Sequence, residues 1–91
     1  MTSDTVPALL SQASALRRAG RIPEAIDAYQ RLLALDPGLP DSWYNLGWLQ
    51  RQARDFEGAL SSYAQALARG VAEPEEVHLN RAVILSDHLA R

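Results

Sequence analysis

The chain contains no cysteine, no lysine and a single phenylalanine, and aromatic residues make up only 7% of it. Without cysteine there are neither disulfides nor thiolate metal sites. Nine basic residues, all arginine, stand against eleven acidic ones, a net charge of -2. That balance lacks the basic footprint of a nucleic-acid binder, so no nucleic-acid partner is expected. No apolar run approaches the roughly 20 residues that span a bilayer, so no membrane partner is expected either. The N-terminal "MTSDTVPALL" has neither the basic nor the apolar region of a secretory signal, and a cytoplasmic location is the default expectation. Long β-branched runs are missing while alanine and leucine dominate, which points to an all-α fold. A chain of 91 residues is read as one domain over residues 1–91.

What is present is a repeat. Laying residues 6–39 over 40–73 at a period of 34 pairs Leu9 with Trp43, Ala13 with Gly47, Ala25 with Ala59, Tyr29 with Tyr63 and Leu32 with Ala66. Ile22 falls opposite Phe56, and small residues fall on small ones. Within each unit apolar residues recur every three or four positions in two segments separated by a polar turn, the pattern of a helix pair. Asp4 or Thr5 caps the first helix, Pro7 fits its first turn and Gly20 ends it. Pro23 opens the second helix, which runs to about Leu35 and stops at "DPGLP". The stretch "DSW" opens the third, Asp55 starts the fourth and Gly70 ends it. A half repeat over 74–91 begins a fifth helix near Pro74 or Glu75. One extra loop residue there aligns Asn80 with Asn45, Ala82 with Gly47 and Val83 with Trp48, keeping Arg81 out of a close helix contact.

These residues resemble the tetratricopeptide repeat, whose pattern is W-x2-L-G-x2-Y, then A, F or Y, A and P. Trp43, Leu46, Gly47, Ala59, Tyr63 and Ala66 match it, while Gln50 and Val71 replace the first tyrosine and the proline. Leu9, Ala13, Leu16, Ala25, Tyr29 and Pro37 fit by size in the first unit. The resemblance implies antiparallel helix pairs stacked as a right-handed superhelix, an α-solenoid of five helices, with a protein or peptide bound in its concave groove. Stacking of pairs also follows from physics, because one pair cannot bury its own apolar face. Trp43, Tyr29, Tyr63, Ile22 and Phe56 are expected to fill the space between pairs.

In such repeats the first helix of each pair lines the groove. With Trp43 as zero, Tyr44, Asn45, Trp48, Arg51 and Gln52 fall between about 80° and 200° around the helix, and Trp43, Leu46, Gly47, Leu49 and Ala53 take the opposite arc. Trp43 and Trp48 leave the helix about 140° apart, so they serve different surfaces. The matching groove residues are Leu10, Ser14 and Arg17 on the first helix and Leu79, Asn80 and Val83 on the fifth. A large amphipathic ring among tyrosine, asparagine and arginine has the composition of a binding hot spot; the plainer reading is that Trp48 leans on Leu79 or Val83 as filling. Asn45 and Asn80 resemble the asparagine ladder of some peptide-binding members of the family. The carboxylate clamp of other members is matched only by Asn45. Arg17, Arg18 and Arg21 are read as a solvated cluster or as a lure for an acidic segment.

Nothing converges for catalysis or for a cofactor. His78 and His88 are roughly 15 Å apart along one helix, too far to share a metal ion. The letters "SDH" at residues 86–88 diverge around the helix instead of forming a triad. No phosphate-cradling glycine loop and no HExxH pattern occur. The expected function is a protein-interaction module, with no enzyme activity. The alternative is an N-terminal spacer or assembly segment of a larger protein, such as the bacterial sulfotransferases whose N-terminal repeats the last segment resembles. Val83, Ile84 and Leu85 in succession suit a helix with several neighbours. If the chain ends at residue 91, exposed Ile84 and Leu85 favour a homodimer through that helix.

Overall fold

The computed structural model describes residues 5–88. Its helices are α1 (Val6–Arg18), α2 (Ile22–Leu35), α3 (Pro40–Gln52), α4 (Phe56–Ala68) and α5 (Pro74–Val83), the last continued by a π-helical turn over Ile84–His88. There is no strand among the described residues, and no described helix is long and apolar enough to cross a membrane. Connections of three to five residues fold each helix back on the one before it. The result is an elongated α-solenoid, 48 × 25 × 18 Å, in which α1 packs on α2, α3 on α4, and α2 on α3.

The helix ends have local causes. Thr5 accepts a hydrogen bond from the Ala8 amide at the start of α1, and Asp55 does the same for Gly58 at the start of α4. Asp4, the other candidate for the first cap, lies outside the described residues. The capping expected from "DSW" is not used. Pro40, with φ already helical, opens α3 earlier, and Leu39 precedes it without a side-chain cap. Gly20 and Gly70 take positive φ at the ends of α1 and α4, 74° and 82°. Arg54, one period after Gly20, takes φ 66° without being glycine. Its guanidinium lies over Phe56, 5.2 Å from the ring centroid.

Two apolar clusters form the core. The first joins α1, α2 and α3 through Leu9, Ala13, Tyr29, Leu32 and Leu49. The second joins α4 and α5 through Ala59, Tyr63, Val77 and Ile84. Tyr29 and Tyr63 are fully buried at equivalent positions. Their hydroxyls fare differently: Arg17 Nε donates to Tyr29 at 3.3 Å, whereas the Tyr63 hydroxyl has no partner among the described residues. Burial pushes the Tyr63 phenol up to about 12. Gly47 makes the α3–α4 approach possible, because a Cβ there would stand 2.7 Å from two carbons of the Tyr63 ring. Gln50, which departs from the repeat pattern, is buried and accepts a 2.6 Å hydrogen bond from the Ser62 hydroxyl, a polar tie between α3 and α4.

Several expectations are corrected. Trp43 is only half-buried. Its ring caps the first cluster at its edge, and its Nε1 donates to the Pro37 carbonyl at 2.7 Å, which holds it over the α2–α3 connection. Ala53 is exposed because it closes α3 as its C-cap residue. Ala82 is exposed too, since no described helix packs where α4 packs on Gly47. Ile84, which the self-association alternative needs exposed, is fully buried in the second cluster, while Leu85 beside it is exposed.

Adding one methyl group at Gly47→Ala should therefore lower stability by about 1 to 3 kcal/mol in urea or thermal unfolding, despite alanine's better helix propensity. The two buried tyrosines should respond oppositely. Tyr63→Phe removes an unpartnered buried hydroxyl and raises stability by about 1 kcal/mol, whereas Tyr29→Phe loses a bond and lowers it by about 1 kcal/mol. The folded chain holds the Tyr63 proton more tightly than the unfolded chain. Its contribution is thus complete below pH 10 and is lost as pH rises towards 12. Unfolding curves of Tyr63→Phe should lack that part of the alkaline loss.

Candidate functional site

The face built by α1, α3 and α5 holds the residues singled out in the sequence and two of the hollows they line. On α3 the inward arc is taken up by Leu46, Gly47, Leu49 and Gln50, all buried. The opposite arc faces outward by the 3.6-residue period. Trp48 stands there 36% exposed, the one aromatic among the large exposed apolar side chains. It shares a hollow of about 210 Å³ with Arg17, Tyr44 and Asn45, so α1 and α3 contribute to one depression. The Asn45 amide makes no hydrogen bond to another described residue. It is half-buried and available to a ligand.

Asn80 is in a different condition. Its Oδ1 accepts from Arg51 Nη1 at 2.6 Å, and its Nδ2 donates to the Glu76 carbonyl at 2.8 Å and weakly to the Tyr44 hydroxyl at 3.5 Å. Both ends of the amide are engaged, so Asn80 pins α5 to α3 where a ladder would need it free. Arg51 and Asn80 are the counterparts, one repeat on, of Arg17 and Asn45, which line one hollow without a hydrogen bond between them. The arginines are 34 positions apart and the asparagines 35. The extra residue sits in the α4–α5 connection, residues 69–73, against 36–39 between α2 and α3.

The other expected groove residues are distributed unevenly. Tyr44 is half-buried and leans on Tyr63, with centroids 5.8 Å apart, so part of its ring serves packing. Gln52 lies at the C-terminal end of α3 beside a second hollow of about 260 Å³, shared with Arg51, Arg54, Phe56 and His88. His88 stacks on Phe56 there at 4.2 Å and 8°. Leu10 and Leu79 are exposed, and Ser14 and Val83 half-buried; none of the four lines the Trp48 hollow.

One depression went unread in the sequence. Asp41, Tyr44, Asn45, Glu73 and Glu76, with Val71 and Ala72, enclose about 380 Å³ between the start of α3 and the start of α5. The available signal was the spacing of Asp41 one turn before Tyr44 and Asn45, together with the acids around Pro74. Burial raises the Tyr44 phenol above its ordinary range, and the nearby Glu76 carboxylate adds to the effect. Among the described residues no group of three or more His, Cys, Asp or Glu is arranged to hold a metal ion.

Comparison with known proteins gives the arrangement a context. Over 63 residues the chain is 38% identical to the general transcriptional corepressor ssn6 of Schizosaccharomyces pombe, a match covering 69% of this chain and 6% of that protein. It is 34% identical over 67 residues to the cellulose synthase operon protein C of Pseudomonas fluorescens, covering 74% of this chain and 5% of that one. The matched region is thus a small fraction of either relative. A TPR repeat model matches residues 13–52 and a tetratricopeptide repeat model residues 42–75. With the period, the helix pairs and these matches in agreement, the chain belongs to the tetratricopeptide repeat family.

Proposed function

We propose that the chain is a non-catalytic interaction module that grips a segment of a protein partner on the face of α3, with Trp48 as the anchor. Tetratricopeptide repeats mediate protein–protein interaction in general. The observation that carries the particular reading is the half-open Trp48 ring in a hollow with Arg17, Tyr44 and Asn45. A rigid amphipathic ring of this kind desolvates a large area on binding while losing little side-chain entropy. Arginine and asparagine beside it supply donors and an acceptor for a polypeptide backbone. The relatives carry names from unrelated settings, a corepressor and a cellulose synthase operon. A module whose common role is binding fits both.

A second reading rests on α5. Ala82 and Leu85 are exposed on α5 and its continuation. In the shifted register they correspond to Gly47 and Gln50, which face α4. That surface suits a further helix, in an assembly within a larger protein or from a second copy of the chain.

The two tryptophans separate the groove reading from a structural role. Trp48→Ala should leave thermal unfolding within about 1 kcal/mol of the parent and weaken capture on a peptide array by about 2 kcal/mol or more, roughly thirtyfold. Trp43→Ala should cost about 2 to 4 kcal/mol of stability, somewhat less than a fully buried ring. A large stability loss at Trp48 would sink its assignment as an anchor. For the second reading, sedimentation velocity should show the parent chain associating with rising concentration and Leu85→Glu remaining monomeric; a parent monomeric throughout would exclude self-association.

A further inference from the structure

Along the outward stripe of α3 the side chains change character in order. Asp41 stands in the first turn, Tyr44 and Asn45 follow, then Trp48, then Arg51 in the last turn. At 1.5 Å per residue Asp41 and Trp48 are roughly 10 Å apart along the axis, and Asp41 and Arg51 roughly 15 Å. The neighbouring helices extend both ends of this gradient. Glu73 and Glu76 stand at the start of α5, and Arg17 and Arg18 occupy the last turn of α1. The face therefore has a negative edge, an aromatic middle and a positive edge.

Helix dipoles favour acids in first turns and arginines in last turns. They do not require carboxylates from two different helices to face one depression. Asp41 and the pair Glu73 and Glu76 do so, with the Tyr44 ring and Val71 completing the wall. None of the three carboxylates is in an ion pair with a described residue. They are not grouped so as to hold a metal ion, while about 380 Å³ is ample for an alkyl-guanidinium or alkyl-ammonium group. An aromatic wall beside carboxylates suits such a group, since the ring face attracts the cation while the alkyl stem covers apolar surface.

On the groove reading above, we infer that the partner segment is cationic at one end. A lysine or arginine side chain occupies the hollow of Asp41, Glu73 and Glu76 against Tyr44, and a large apolar side chain about 10 Å away rests on Trp48. In an extended segment that spacing is roughly three residues. An acidic residue beyond the anchor would meet Arg51 and Arg17. A phosphate-rich partner is disfavoured at the carboxylate edge.

The test uses the full chain and labelled synthetic peptides with a leucine or tryptophan anchor, bearing either arginine or glutamate roughly three residues away. Fluorescence anisotropy should show the arginine peptide binding at least about tenfold tighter at low ionic strength, the advantage shrinking as salt is added. Glu73→Gln with Glu76→Gln should bring the two peptides to equal affinity with helicity unchanged by circular dichroism. Asp41→Asn, on the other helix, should reduce the difference independently if α5 proves sensitive. Equal binding of both peptides by the parent chain, still abolished by Trp48→Ala, would overturn the cationic inference and leave the groove reading standing. Failure of every peptide to bind would overturn both.

Discussion

A tyrosine ring pressed against a residue with no side chain is the contact on which the rest of the structure depends. Tyr63 occupies the space a Cβ of Gly47 would need, with the Ala59 carbonyl close behind it. That allows α3 and α4 to approach closely and places the ring in the cluster with Val77 and Ile84 of the C-terminal segment. One side chain thus ties the second helix pair to α5. The cost is a buried hydroxyl without a partner among the described residues, which the first pair avoids by giving Tyr29 a donor in Arg17.

This packing determines what remains for binding. The inward arc of α3 is consumed by α2 and α4, so the outward arc is the surface left open. The first helices of the pairs pack on their partners and make few contacts with one another. A shallow face lined by α1, α3 and α5 results, and large side chains on it stay partly open instead of collapsing into a core. Trp48 is exposed for that reason. Trp43, rotated by about 140° on the same helix, is drawn down over the α2–α3 connection.

The two repeats also differ in how they use the same polar pieces. Arg17 bonds the tyrosine of its own pair and leaves Asn45 free, whereas Arg51 reaches across to Asn80 and joins two repeats. Asn80 follows an α4–α5 connection one residue longer than the one between α2 and α3. Glu73 in that connection and Glu76 just after it face Asp41 across the acidic hollow.

The sequence by itself determined the period, the five helices, the proline starts of α1, α2 and α5, the glycine ends of α1 and α4, and the divergence of Trp43 from Trp48. Each of these depends on local geometry within a turn or two or on regular spacing along the chain. The tertiary structure alone decided the Gln50–Ser62 tie, the Arg51–Asn80–Tyr44 link, the burial of Ile84 and the acidic hollow. Those contacts join residues from different helices, 12 to 36 positions apart in the hydrogen bonds concerned. Periodicity says which way a side chain leaves its own helix. What it meets there depends on how neighbouring helices are displaced.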